Sequence, residues 1–293
     1  MKIDVPAGRY IVAVSGGVDS MVLLDLLSKA DSLELIVAHF NHGIRTDAQK
    51  DEQLVEKVVL KLDLPLEIGR AKLGPSASEE QARKARYDFL RKVQKNYSTN
   101  KIITAHHLDD AIETAIINIL RGTGRRGLSA IHANPNILRP LLNISKNEIK
   151  QYAQEHNIEW HEDTTNTDIA YLRNYVRLKV LPNLSRSDRN TLIEHLQQAK
   201  LNNKDIDSAI AKLSHKVIKG RTLYRQNFVL LPAEVGSEVI MYWLRSNGIK
   251  LFDRKTINRL NTLLRTAKNG TLCPVTGKAY IEFSAKTALL SYR

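Results

Sequence analysis

The sequence predicts an α/β fold: a doubly wound, mostly parallel sheet, then a helical linker and a small α+β C-terminal domain. Three observations predict it. Short β-branched apolar runs alternate with helical patterns over the first 130 residues, the most polar clusters each follow one of those runs, and beyond residue 185 the pattern turns helical before closing on two short strands. Such alternation marks a parallel sheet covered on both faces, with its ligand cleft at the carboxyl ends of the strands. At 293 residues and 43% hydrophobic, the chain can bury a sizeable core and divides into two domains.

Taken in order, IVAV (11–14) reads as a buried strand and MVLLDLLSKA (21–30), with leucines at helical spacing, as the helix after it. ELIVAHF (34–40), LPLEIG (64–69) and KIITA (101–105) supply the remaining strands. SASEEQARKARYDFL (76–90) reads as a structural helix: Ser78 and Gln81 suit a capping box, and Arg83, Arg86 and Tyr87 share a face. TNTD (165–168) opens a helical stretch that ends at Pro182, SRSDRN (185–190) reads as a polar turn, and helices dominate to about residue 219. EVGSEVIMYWLRSNG (234–248) and DRKTINRLNTLLRTAKNG (253–270) read as helices closed by glycines, and GKAYIEFSAKTALLSYR (277–293) as a terminal pair of strands. These readings place a first domain at 1–184, a linker at 185–215 and a small basic domain at 216–293.

The formal net charge of +13 points to a polyanionic partner, nucleic acid before a merely soluble basic surface. Residues 201–293 hold 16 Lys and Arg against 6 Asp and Glu, so the tail carries most of the excess, with Arg254, Lys255 and Arg259 along one helix. Cys273 is the single cysteine, which excludes a disulfide within the chain and a thiolate metal site, and fits a reducing cytosol. No run approaches a membrane span, and MKIDVPAGRY lacks a long apolar leader region, so a soluble cytoplasmic protein is expected.

The stretch Ser15-Gly16-Gly17-Val18-Asp19-Ser20 joins the first strand to its helix. Such a junction aims unpaired N–H groups and the positive end of a helix dipole at one spot, which suits a phosphate, and the glycines let the backbone approach it. No lysine follows the glycines as in a Walker A loop, and the third glycine of a dinucleotide fingerprint is missing. What remains is hydroxyls and N–H groups for phosphate oxygens, with Asp19 placed to hold a bridging Mg²⁺. A tight glycine turn is the plainer alternative.

HHLDDAIE (106–113) puts Asp109, Asp110 and Glu113 on one helix face behind His106 and His107, a density of groups able to bind Mg²⁺, an ammonium or a nucleoside. Complementing the helix dipole accounts for part of that pattern. Arg121, Arg125 and Arg126 then stand in a glycine-rich loop suited to phosphate forks and base stacking. Arg173 and Arg177 lie one helical turn apart, and so ask for an anion. Glu162, Asp163 or Asp168 would make a structural ion-pair cluster, RNA or ATP phosphate a functional one, and the residues leave both open.

SGGVDS resembles the PP-loop of the N-type ATP pyrophosphatases. Together with HFNHGIR, EEQARKARYDFL, TAHHLDDAIET, RGTGRRGL, RPLL and EDTTNTDIAYLRN in that order, it makes residues 9–184 resemble the tRNA(Ile)-lysidine synthetase family. The resemblance implies that ATP adenylates position 2 of the first anticodon cytidine of a tRNA(Ile) bearing CAU. Free L-lysine then displaces AMP, giving lysidine and shifting codon recognition from AUG to AUA. It further implies ATP on residues 15–20, Mg²⁺ on Asp19, and catalytic parts for Asp19, His106, Asp110 and Arg173. Lysine would meet Asp109, Asp110 and Glu113, and tRNA would meet Arg121, Arg125, Arg126, Arg254, Lys255 and Arg259. Larger members continue past the domain that 216–293 resembles, so this chain reads as a short form, with a second copy of itself among the expected partners as a homodimer. A tRNA thiolation enzyme, an ammonia-using synthetase and a non-catalytic RNA-binding relic are the rivals. Cys273 is poorly placed for sulfur chemistry, the basic tail is idle in an ammonia-using synthetase, and a relic would be expected to have lost Asp19 or the 106–113 cluster.

Overall fold

A computed structural model describes residues 1–44, 48–74, 77–99, 101–121, 123–128, 134–162 and 172–292. The chain forms two compact units, 1–199 and 200–293. In the first, β1 (Gly8–Ala13) lies between β2 (Leu33–Asn41) and β4 (Lys101–Ile103), with β3 (Leu66–Arg70) outside β2 and β5 (Ile137–Leu138) outside β4. All four pairings are parallel, with Ile11 opposite Ile36 and Val12 opposite Ile103. The strand order is therefore 3-2-1-4-5, and the direction of winding reverses between β1 and β4.

Successive strand residues point to opposite faces, so a strand covered on both sides must be apolar throughout. Val12, Val37 and Ile103 turn to one face, against Met21, Leu23, Leu24 and Leu27 of α1 (Val18–Ser28), Val55 and Val59 of α2 (Ala48–Lys61) and Ile149 of α6 (Lys146–Glu155). Ile11, Ile36 and Ile102 turn to the other, against Leu90 and Val93 of α3 (Glu79–Asn96). α1 is apolar around most of its circumference because it is buried on nearly every side. Ser78 caps α3 in the expected box with Gln81. β5 escapes the sequence reading because two residues show no period.

α4 (Leu108–Leu120) and α5 (Arg125–Leu128) follow β4, and α7 (Leu172–Tyr175) runs into a π-helical turn over 176–180 and a 3₁₀ turn over 181–183. Pro182 sits at the start of that last turn, where its missing N–H costs nothing. The expected helix start at TNTD lies outside the described residues. SRSDRN is the entry to α8 (Arg186–Ser214) and not a turn: the Ser185 hydroxyl accepts the Asp188 N–H at 3.1 Å and donates to its carboxylate at 2.7 Å. Ser and Asp at that spacing serve a turn or a helix cap equally, and only the apolar residues beyond decide. Leu192, Ile193 and Leu196 of α8 pack with Ile112, Ile117, Val176 and Leu181 in the first unit.

The second unit carries an antiparallel sheet in the order β6-β7-β10-β9-β8. Its strands are β6 (Ile218–Lys219), β7 (Thr222–Tyr224), β8 (Thr271–Thr276), β9 (Ala279–Phe283) and β10 (Thr287–Tyr292), and its helices are α9 (Arg225–Phe228), α10 (Ala233–Ser246) and α11 (Arg254–Thr266). Trp243, Phe228, Phe283, Ile281, Leu260 and Leu264 are fully buried in its core. The sequence predicts α10, α11, β9 and β10; β8 pairs with β9 through Cys273, which is buried. Among the described residues no helix is long and apolar enough to cross a membrane.

Candidate active site at the carboxyl ends of the sheet

The loop between β1 and α1 is closed by its own hydroxyls. Ser20 Oγ accepts the Ser15 N–H at 3.0 Å, donates to the Gly17 carbonyl at 2.9 Å and lies 3.2 Å from Ser15 Oγ. Gly16 has φ +88°, and a Cβ there would stand 3.1 Å from Asp51 Cβ, so both backbone conformation and space require glycine. Gly17 precedes α1 with extended backbone and no side chain caps the helix, which leaves its N-terminal N–H groups and dipole to a ligand. A cavity of about 370 Å³ opens beside the loop. It is lined by Ser15, Gly17, Asp19 and Ser20, by residues 38–44 at and beyond the end of β2, by Thr104, Ala105 and His106 after β4, and by Arg86 and Asp110. That is small-molecule size, at the point where an α/β sheet of this winding takes its ligand.

α4 presents its carboxylates as the sequence predicts, but each meets a cation of the chain. Asp109 accepts Arg189 Nη1 at 2.5 Å and the Lys146 backbone N–H at 2.7 Å. Asp110 accepts the His107 N–H at 3.0 Å and Arg177 Nη2 at 3.2 Å. Glu113, fully buried, accepts Arg173 Nε on one oxygen and Arg177 Nε at 3.0 Å on the other. Asp19 receives Lys146 Nζ at 2.6 and 2.7 Å, and His107 Nε2 stands 3.7 Å from it. Glu113 and Asp110 therefore supply the anion that Arg173 and Arg177 ask for. Glu162 pairs instead with Lys150 at 3.3 Å, and Asp163 and Asp168 lie outside the described residues.

Burial pushes the Glu113 carboxyl up, against the pull of Arg177 and Arg173. At Asp110 burial also pushes upward, but His107, His106 and Arg177 outweigh it and hold the carboxyl below its ordinary value. His106, whose Nδ1 lies 2.8 Å from Thr104 Oγ1, is driven down to about 3, chiefly by burial and then by Arg139, Arg86 and Arg83, with Asp110 opposing. It is a neutral hydrogen-bonding group at neutral pH. The unfolded chain binds a proton at His106 near pH 6.5 while the folded one refuses it down to about 3, so this residue's contribution is lost as pH falls through that window. Urea midpoints at pH 7.5 and 5 should differ less in His106→Gln than in the parent chain.

Only Asp110 and His106 of the 106–113 cluster line the cavity. Arg125 and Arg126, read from the sequence as part of a glycine-rich loop, lie on one helical turn, with Asn118 Nδ2 donating to the Gly127 carbonyl at 2.7 Å; Arg121 is exposed at the end of α4, and Gly122 lies outside the described residues. Among residues the sequence does not single out, Lys146, Arg189, Asp51 and His161 join the site. His161 donates its N–H to the Gly16 carbonyl at 3.1 Å, and its Nδ1 lies 2.9 Å from Asp51. No local pattern announces them, except that a lysine as first residue of a capped helix works against the dipole. Arg86 faces the cavity from the helix that the sequence reads as structural before functional.

In the second unit, Arg254 and Lys255 are exposed at the start of α11, behind Asp253, which accepts the Thr256 N–H at 2.7 Å. Arg259 is exposed too, with Nη2 donating to the Pro274 carbonyl at 2.6 Å. Arg225 and Arg265 instead bind carbonyls of the fold, so part of the tail's charge is structural.

A Mg²⁺ that arrives with phosphates needs only one or two protein carboxylates, and Asp19 at the loop offers one. Among the described residues no group of three or more His, Cys, Asp or Glu side chains is arranged to hold a metal alone. The donor set thus fits a metal carried in by a nucleotide.

Strand order 3-2-1-4-5 with an uncapped, glycine-led helix start at its switch point defines a doubly wound α/β protein with backbone N–H groups open at that point. Residues 2–184 match the family model of the PP-loop domain, and the chain belongs to that family. It is 34% identical over 289 residues to the tRNA(Ile)-lysidine synthase of Caldanaerobacter subterraneus subsp. tengcongensis, covering 86% of this chain and 61% of that protein. The synthase of Legionella pneumophila (strain Paris) is 33% identical over 279 residues, with 86% and 61% covered. That of Thermosipho africanus is 40% identical over 187 residues, with 59% and 43% covered. The chain thus spans less than two thirds of the length of these relatives. A U34-tRNA thiolase (NcsA) from Methanococcus maripaludis shares the fold at 18% identity and a TM-score of 0.55, over 66% of this chain and 72% of that one.

Proposed function

We propose that the chain is a ligase that attaches L-lysine to the first anticodon cytidine of a tRNA(Ile) bearing CAU, at the expense of ATP. The observation that carries this reading is the cavity itself: a phosphate-type loop with Asp19, and Asp110 with His106 from the other side of the sheet's switch point, open on one space. The likeness to lysidine synthases over most of the chain supports it. The N–H groups and hydroxyls of residues 15–20 bind the phosphates of ATP, so that attack by the cytidine carbonyl oxygen on the α-phosphorus expels pyrophosphate into a ready-made anion site. Mg²⁺, when bound through Asp19, neutralises charge on the phosphates. Asp110, the carboxylate of α4 that reaches the cavity, draws the ammonium of lysine, whose other amine attacks the activated ring and expels AMP. Asp109 and Glu113 act by holding Arg189, Arg173 and Arg177 in place. His106 stays neutral and offers a hydrogen bond rather than a charge, and Arg173 meets the activated intermediate from its anchor on Glu113. Cys273, buried in β8 with its thiol pushed up by burial, gives a thiolation reading nothing to work with.

Incorporation of labelled lysine into tRNA(Ile) with a CAU anticodon, with methionine tRNA and Asp19→Ala as controls, tests the proposal. Label only in the isoleucine tRNA and only with the parent chain supports it. Pyrophosphate release with another acceptor, and no label, would replace it with a different PP-loop reaction.

The second unit is the proposed tRNA clamp, with Arg121, Arg125 and Arg126 meeting the anticodon in the first. Replacing Arg254, Lys255 and Arg259 by alanine together should weaken tRNA binding and flatten the plot of log affinity against log salt by roughly 2 in slope. Filter binding across a salt series reads both. An unchanged slope would place the contact elsewhere.

A further inference from the structure

The phosphate loop carries no lysine of its own, and one arrives from 127 positions along the chain. We propose that Lys146 is a phosphate-binding residue held in reserve by Asp19. In the nucleotide-free protein its ammonium takes the place of the metal, and it passes to the phosphates when the metal arrives. The inference rests on the reading of residues 15–20 as the ATP site.

Nζ sits almost equally far from both oxygens of Asp19, at 2.6 and 2.7 Å, which is where a cation shared by that carboxylate belongs. The root of the side chain is fixed. Ser145 and Glu148 close a capping box around it, and its backbone N–H donates to Asp109 at 2.7 Å. α6 is tied to α1 by the Tyr152 hydroxyl, which donates to Asp25 at 2.9 Å and accepts from Lys29 at 3.0 Å. Only the four-carbon stem is free to swing, and Lys146 retains about a third of its exposure.

The position has no local explanation. A cation at the start of α6 opposes the helix dipole, and the capping box uses only the residues on either side of it. Charge gives the reason. With Lys146 in place Asp19 is neutralised, and no unpaired carboxylate faces the loop. A divalent ion on Asp19 displaces the ammonium, and the nearest new anion is the phosphate chain that brought the ion. The residue then supplies, from another helix, the lysine that Walker A loops carry in sequence.

Mn²⁺, read by electron paramagnetic resonance in the absence of nucleotide, separates the outcomes. Lys146→Met should bind Mn²⁺ about tenfold tighter than the parent chain, since the competing charge is gone. The same variant should bind pyrophosphate about tenfold more weakly, since the reserve cation is gone. Lys146→Arg keeps the charge and should stay near the parent chain in the Mn²⁺ assay, and melting curves confirm that each variant is folded. Unchanged or weaker Mn²⁺ binding by Lys146→Met, with Asp19→Asn abolishing it in the parent chain, overturns the inference and leaves the ATP site standing. No binding of pyrophosphate or of Mn²⁺–ATP by the parent chain overturns both.

Discussion

Asp19→Asn is expected to cut ATP-dependent pyrophosphate release by roughly a thousandfold while leaving the fold intact. The side chain lies in the first turn of α1 and about a quarter of it is exposed, so its replacement by an isostere removes little packing. What it removes is the loop's only carboxylate, and with it the place where Mg²⁺ would neutralise the phosphates. It also leaves Lys146 without its partner, free to hold the phosphates in the ground state. Nucleotide affinity should therefore fall far less than turnover. Equal losses in both would mean that Asp19 contributes to binding alone, and full activity would remove it from the chemistry.

Glu113→Gln should act chiefly on stability. The carboxylate is fully buried, and losing its charge leaves Arg173 and Arg177 with a neutral partner that can accept at only one oxygen. Breaking a buried pair costs about 3–5 kcal/mol, and since both guanidiniums keep about a third of their exposure the lower end applies. A loss of about 3 kcal/mol lowers a melting temperature by roughly 6–12 °C in a unit of this size. Differential scanning fluorimetry decides between the two roles open to this residue. A variant that melts like the parent chain but requires more lysine for half-maximal rate would restore Glu113 to direct contact with lysine.

The elements legible in the sequence were those with a period or a cap. β1 and β2 are built on short apolar runs because both faces of the sheet are covered, α1 on leucines at helical spacing, and α3 and α11 carry side-chain caps and clear amphipathic faces. β5 and β6 were not legible, since a two-residue strand is defined by its neighbour and has no pattern of its own. Ser185 and Asp188 misled because a helix cap and a polar turn use the same residues for the same hydrogen bonds.

At the site, the sequence by itself determined the phosphate-type loop, the row of acids on α4 and the basic tail, because each is a chemical preference expressed over a few consecutive residues. Only the tertiary structure decided who partners whom. The pairing of Asp19 with Lys146 and of Asp109 with Arg189 spans 127 and 80 residues, and Glu113 meets Arg173 across 60. No local spacing encodes such contacts. They follow from burial, which makes an unpaired carboxylate costly and so draws a cation from whichever element the packing brings near. The same burial decided that His106 is neutral and that Asp110 faces the cavity while Glu113 is enclosed.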